Sequence, residues 1–202
     1  MARRSRSADG PTPGSSADAV PEADPVEVAR TIVLAQLAVA PKTRSQLAAV
    51  LARRGVPEDA AEQVLDRFTD VALVDDAAYA QAWVRSRHAG RGLARRALAH
   101  ELRARGVADP LVSEALEEVS DADEEAAARE LVRRRLAATA GLGVQTRVRR
   151  LVGMLARKGY SGGLAIRVVR SELEAERELG RHETQVLESL DVDLSDASRV
   201  GE

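Results

Sequence analysis

The chain has no cysteine in its 202 residues. This excludes a disulfide framework, a thiolate metal site and a cysteine nucleophile. Aromatic side chains are 2% of the total: Phe68, Tyr79, Trp83 and Tyr160. A β-rich fold, which leans on aromatic and β-branched residues, is therefore not expected. No apolar run is long enough to cross a bilayer, and the arginines near the start are not followed by an apolar segment. Neither a membrane span nor a secretory leader is expected, which leaves a cytoplasmic protein with no membrane partner.

Catalytic signatures are also missing. His88, His100 and His182 are scattered without ligand-spaced partners. Gly141-Leu142-Gly143 lacks the lysine and hydroxyl residue of a phosphate-binding loop, and Gly162-Gly163 reads as a turn opening a helix. There is no Gly-x-Ser-x-Gly elbow. The acid pairs Asp75-Asp76 and Glu124-Glu125 fall at helix starts, where capping and the helix dipole account for them. The chain is thus expected to be no enzyme, with no catalytic residue, no cofactor and no metal.

Alanine, leucine, arginine and glutamate are abundant, so helices are favoured throughout. A phrase recurs three times: Leu47-x-x-x-Leu51-x-x-Arg54-Gly55, Leu98-x-x-x-Leu102-x-x-Arg105-Gly106 and Leu151-x-x-x-Leu155-x-x-Lys158-Gly159. Leucines at i and i+4 face a core, the base suits the negative end of a helix, and glycine suits the left-handed cap. Ten residues beyond each glycine stands an apolar residue: Leu65, Leu116 and Val169. The pattern predicts an all-α fold of three tandem three-helix repeats, stacked into an elongated, curved array with helix-turn-helix-like units.

Boundaries follow from capping signals. Residues 1–24 lack periodic apolar positions and are expected to be disordered. Asp24-Pro25 starts repeat one, at residues 25–73, whose first helix carries Val28, Ile32, Leu34 and Leu37. Thr43-x-x-Gln46 opens its second helix as a capping box, and its third follows Pro57. Repeat two occupies residues 74–119; Tyr79, Trp83 and Val84 mark its first helix, Gly90 and Gly92 break it, and Asp109-Pro110 caps its third. Repeat three occupies residues 120–180. It opens at Ser120-x-x-Asp123, carries Leu131 and Leu136, breaks at Gly141 and Gly143, and fades near Gly180. Residues 181–202 form an acidic tail.

The net charge of −2 is unevenly spread. Residues 83–107 hold seven arginines against Glu101, and residues 129–170 hold eleven bases against Glu130. On a helical wheel with Leu98 and Leu102 inward, Arg96, His100 and Arg103 project outward. Arg149 stands where Arg96 stands, Lys158 where Arg105 stands, and Ser45 takes the Arg96 place in repeat one. Two readings stand: a surface for an anionic partner, or a solvated helix face. Tyr79 and Trp83, at i and i+4, read as core of repeat two; a stacking platform for bases would require their exposure.

The order Asp75-Asp76-Ala77-Ala78-Tyr79-Ala80-x-x-Trp83-Val84-x-Ser86-Arg87, then Arg91-Gly92, then Glu101-Leu102-x-x-x-Gly106-Val107, resembles the RecX family of regulatory proteins that act on the RecA recombinase. The phrase Arg149-Arg150-Leu151-x-x-x-Leu155-x-x-Lys158-Gly159-Tyr160 fits as well, and the likeness spans residues 26–180. The resemblance implies a protein that lies along the groove of the RecA–DNA filament; a monomer is expected. It further implies inhibition of RecA's recombinase, ATPase and coprotease activities, with consequences for DNA repair, recombination and the SOS response. The partner-binding set expected on this basis is Arg85, Arg87, Arg91, Arg95, Arg96, Arg103, Arg149, Arg150 and Lys158. The alternative is a direct DNA-binding protein of helix-turn-helix-like units, taking single- or double-stranded DNA without RecA. The two separate by salt dependence, since phosphate-dominated binding falls steeply with ionic strength.

Overall fold

The structure is a computed structural model that describes residues 24–199, with side chains to residue 182. Residues 1–23 and 200–202, and the side chains of the tail beyond 182, lie outside that description. Among the described residues there are nine α-helices and no strand. Unit one comprises α1 (Pro25–Val39), α2 (Arg44–Arg53) and α3 (Glu58–Asp70). Unit two comprises α4 (Asp76–Arg91), α5 (Arg95–Arg103) and α6 (Asp109–Glu117). Unit three comprises α7 (Asp121–Leu136), α8 (Val144–Arg157) and α9 (Gly162–Arg199), with a 3-10 turn at Ala137–Thr139.

Local chemistry sets most of the helix starts. The Asp24 carboxylate accepts from the Val26 amide, and Pro25 opens α1. Thr43 and Gln46 close a capping box at α2, and Ser120 and Asp123 do so at α7. Asp75 caps α4 through the Ala78 amide. Asp109, by contrast, is the first residue of α6 rather than its cap, which is Ala108; its carboxylate pairs with Arg103 instead.

Each unit has its own core. In α2, α5 and α8 the paired leucines are fully or almost fully buried: Leu47 and Leu51, Leu98 and Leu102, Leu151 and Leu155. Each contributes about 1.5–3 kcal/mol by leaving water. The first helices follow a rule that the larger side chains obscure. Val28 and Leu34 are exposed; the buried pair of α1 is Ala29 and Val33. The same pair recurs as Ala80 and Val84 in α4 and as Ala128 and Val132 in α7. Alanine lets the helix axes approach, and valine four residues on closes the gap. Ile32, Tyr79, Trp83 and Leu131 flank this stripe, half-buried.

Two glycines behave differently from expectation. Gly90 stays inside α4, and only Gly92, with φ +59°, ends it. Gly180 does not end α9, which runs on to Arg199. One glycine costs a helix about 1 kcal/mol, and the surrounding glutamate, arginine and leucine carry the helix across it.

Candidate partner-binding face

The surface that could meet a partner is laid out by the way the units join. The C-terminal end of α5 sits on the first turn of α2, and the end of α8 sits on the first turn of α5. At the first joint the Thr43 hydroxyl donates to the Arg105 carbonyl at 2.6 Å, and the Arg44 amide donates to the Asp76 carboxylate at 2.8 Å. At the second, the Ala94 amide donates to the Lys158 carbonyl at 3.0 Å, and the Arg95 amide donates to the Glu124 carboxylate at 2.6 Å. In the repeat register Thr43 matches Ala94, Arg44 matches Arg95, and Asp76 matches Glu124. The second helices of units one and two, α2 and α5, thus have their first amides capped by an acid of the following unit. For α5 this replaces the side-chain cap that Ala94 cannot supply.

The glycine of the repeated phrase makes this approach possible. Gly106 and Gly159 have φ of +76° and +92°. A Cβ on Gly106 would lie 2.2 Å from the Ser45 hydroxyl, and one on Gly159 would lie 2.6 Å from the Ala97 backbone nitrogen. The second joint is reinforced further. Lys158 Nζ donates to the Arg91 carbonyl, the Tyr160 hydroxyl donates to the Gly92 carbonyl at 3.1 Å, and Ala94 is buried in the core of unit three. Burial pushes the Tyr160 phenol up to about 12, so it remains a donor at neutral pH. A Cβ on Gly92 would lie 2.9 Å from the Leu131 side chain.

Because of these joints α8, α5 and α2 follow one another, end to start, and the exposed cations they carry succeed one another in that order as a file. Arg149, Arg150 and Arg157 of α8, then Arg96 and His100 of α5, then Arg53 of α2 are exposed. None of these side chains has an ion pair or hydrogen bond among the described residues. Arg53, His100 and Arg157 were absent from the expected set. Their signal was available in the repeat register, since Arg157 takes the place next to Lys158 that Arg53 takes next to Arg54.

The nine expected residues divide by what holds them. Arg91, Arg96, Arg149 and Arg150 are exposed, with guanidinium groups that have no partner among the described residues. Arg85 pairs with Glu118 at 3.1 Å and Arg103 with Asp109 at 2.6 Å, both in water. Such pairs are worth about 0–1 kcal/mol and exchange readily for another anion. Arg95 is held by Asp121 and Glu124, whose carboxylates raise its pKa mainly through their hydrogen bonds to it. It and Lys158 fasten the second joint rather than face outward.

Arg87 belongs to a cluster around Trp83. Its guanidinium lies 4.1 Å from the Trp83 ring centroid, and that of Arg105 lies 3.6 Å from it. Trp83 Nε1 donates to Glu101 at 2.8 Å, and Tyr79 stacks on Trp83 at 5.9 Å. Arg87 Nε is buried without a hydrogen-bond partner and 3.8 Å from Glu101. Glu101, the one acid of the arginine-rich stretch, therefore fixes the indole and neutralises its cationic neighbours. Both aromatic rings are half-buried against the core of unit two.

Among the described residues no helix is long and apolar enough to cross a membrane, and no group of three potential metal ligands occurs.

The chain matches the models of the RecX first three-helix domain at residues 29–68, the second at 75–116 and the third at 123–169. It is 61% identical over 168 residues to the regulatory protein RecX of Thermobifida fusca, covering 83% of this chain and 89% of that protein. It is 57% identical over 162 residues to that of Streptomyces coelicolor, covering 80% and 86%. A crystal structure of RecX from Lactobacillus salivarius has a TM-score of 0.69 at 18% identity, covering 75% of this chain and 98% of that one. A second crystal structure of a regulatory protein RecX has a TM-score of 0.67 at 22% identity, covering 74% and 73%. At these identities the two structures speak for the fold.

Proposed function

Since the chain belongs to the RecX family of regulatory proteins, we propose that it regulates RecA by lying along the RecA–DNA filament, and that it inhibits filament extension, ATP hydrolysis, strand exchange and coprotease activity. It acts in the cytoplasm, as a monomer, in DNA repair and the SOS response. The observation that carries this reading is the file of unpaired cations on α8 and α5. Four arginines there, Arg96, Arg149, Arg150 and Arg157, have no ion pair or hydrogen-bond partner among the described residues. No ion pair among the described residues has to be broken when an anionic surface covers them, so only their hydration is given up. Arg85 and Arg103, held only by exposed ion pairs, are the reserve contacts at its edge.

A near-neutral total charge suits a partner that already presents a shaped surface, because long-range attraction to bare DNA is weak. The test is RecA ATPase on single-stranded DNA with this protein titrated in. Hydrolysis is expected to fall as the protein approaches saturation of the filament. Unchanged hydrolysis at saturation would overturn the reading. Tight, sequence-specific binding to duplex DNA in the absence of RecA would favour the direct DNA-binding alternative.

A further inference from the structure

We propose that unit one swings as a hinged arm on a rigid body formed by units two and three. The inference rests on the joints alone and does not depend on the identity of the partner.

The two joints use the same register but different amounts of structure. At the second, a residue of one unit enters the core of the next: Ala94 is buried among Leu151, Leu155 and Tyr160. At the first, the equivalent Thr43 is also fully buried, but its side chain is polar and is held by hydrogen bonds. Its hydroxyl accepts the Gln46 amide and spends its proton on the Arg105 carbonyl. Among the described residues the only other side-chain bond at that joint runs from the Arg44 amide to Asp76. The bonds of Lys158 and Tyr160 to the turn at residues 91–94 have no counterpart there, and Arg105, at the Lys158 position, lies on Trp83 of its own unit.

The connectors differ in the same sense. Residues 118–120 join α6 to α7, with Val119 buried and Ser120 locked in a capping box. Residues 71–75 join α3 to α4 and are longer. They include Ala72 in the left-handed region at φ +54°, and Val71 and Leu73 are exposed. Val74 is anchored in the core of unit one, whereas Asp75 already caps α4. The pivot is the backbone between them.

Clefts border both joints, so open space does not distinguish them. The one at the second joint, about 730 Å³, is bridged by Lys158. The one at the first, about 480 Å³, is walled by Leu37, Pro41 and Leu73 on one side and by Tyr79, Ala82 and Trp83 on the other. Swinging unit one changes the width of this apolar cleft, and with it the exposure of Tyr79 and Trp83.

The absence of cysteine makes the test direct. Spin labels are placed in the full chain through the exposed substitutions Glu62→Cys with Ser113→Cys, spanning units one and two, and Ser113→Cys with Glu174→Cys, spanning units two and three. Electron–electron resonance is expected to give a distance distribution at least about twofold wider for the first pair than for the second, as for modules joined by a small interface. Thr43→Asp keeps an N-cap acceptor for α2 but has no proton for Arg105. Asp76→Ala removes only the acceptor for Arg44. Either is expected to widen the first distribution further and leave the second unchanged. Equal widths in the unsubstituted joints would overturn the hinge, as would a first distribution that neither substitution moves.

Discussion

Gly55, Gly106 and Gly159 hold the same place in three units and the same left-handed backbone, yet only the latter two are pressed against a neighbour. A Cβ at Gly55 meets nothing within 4 Å, whereas one at Gly159 meets the backbone of Ala97. Gly55→Ala is therefore expected to cost about 1–2 kcal/mol, the strain of a left-handed alanine. Gly159→Ala is expected to cost clearly more, about 3 kcal/mol or above, because the backbone of α5 must also move. Urea denaturation followed by helical circular dichroism measures both; equal costs would mean that the close approach contributes nothing. The glycines were legible in the sequence as helix caps. Their second role was not, because a capping glycine and a joint glycine leave the same mark when the neighbour is some sixty residues away. The fate of individual arginines was hidden for the same reason: Arg95 and Arg96 are adjacent in sequence, but only Arg95 meets the acids Asp121 and Glu124 of the following unit.

At the scale of the element, helix starts were legible wherever the cap lies within three or four residues, as at Asp24, Thr43, Asp75 and Ser120. The cap of α5 was not, because Glu124 comes from another unit. In α1 the large apolar residues Val28 and Leu34 drew attention from the buried pair Ala29 and Val33; in α4 Val84 was legible and only Ala80 was missed, and in α7 Leu131 stood for the adjacent pair Ala128 and Val132. The packing of α9 on α7 holds a further departure from the repeat. Phe68 and Val119 fill one core position in the first two units, and in the third that position is Glu172, only 6% exposed. Arg133 holds it with two hydrogen bonds, and Arg129 lies at 3.9 Å. Both arginines reach water, so replacing the acid leaves no cation stranded. Glu172→Gln is expected to destabilise the protein by about 1–3 kcal/mol by loosening charged hydrogen bonds around a buried polar group. Glu172→Met, which restores the apolar character of the position, is expected to fall within about 1 kcal/mol of the original. Denaturation midpoints decide this, and a methionine variant less stable than the glutamine variant would contradict it.

At the scale of the molecule, the contacts that join the units are not repeated at Pro25 or at Arg147. The acid that caps the preceding unit is Asp76 in unit two and Glu124 in unit three; the matching residue of unit one is Pro25, which has no carboxylate. At the other end, the position matching Ala94 is Arg147, whose guanidinium is turned onto Thr139, the Leu136 carbonyl and Glu176. What remains outward is the succession of α8, α5 and α2 with its unpaired cations. The repeat architecture was legible from three glycine phrases, whereas the order in which the second helices meet required the joints themselves. The central claim is that this file, and not the whole arginine-rich stretch, makes the contact with the filament. It is tested most directly by cosedimentation with RecA filaments assembled on single-stranded DNA. Arg96→Glu combined with Arg149→Glu and Arg150→Glu is compared with Arg87→Glu, which lies in the Trp83 cluster, helical content being checked for each. The account predicts that the triple variant loses about tenfold or more in affinity with its helical content intact, as expected when several charge contacts are reversed, and that Arg87→Glu loses far less per charge. Filament binding by the triple variant equal to that of the unsubstituted protein would contradict it.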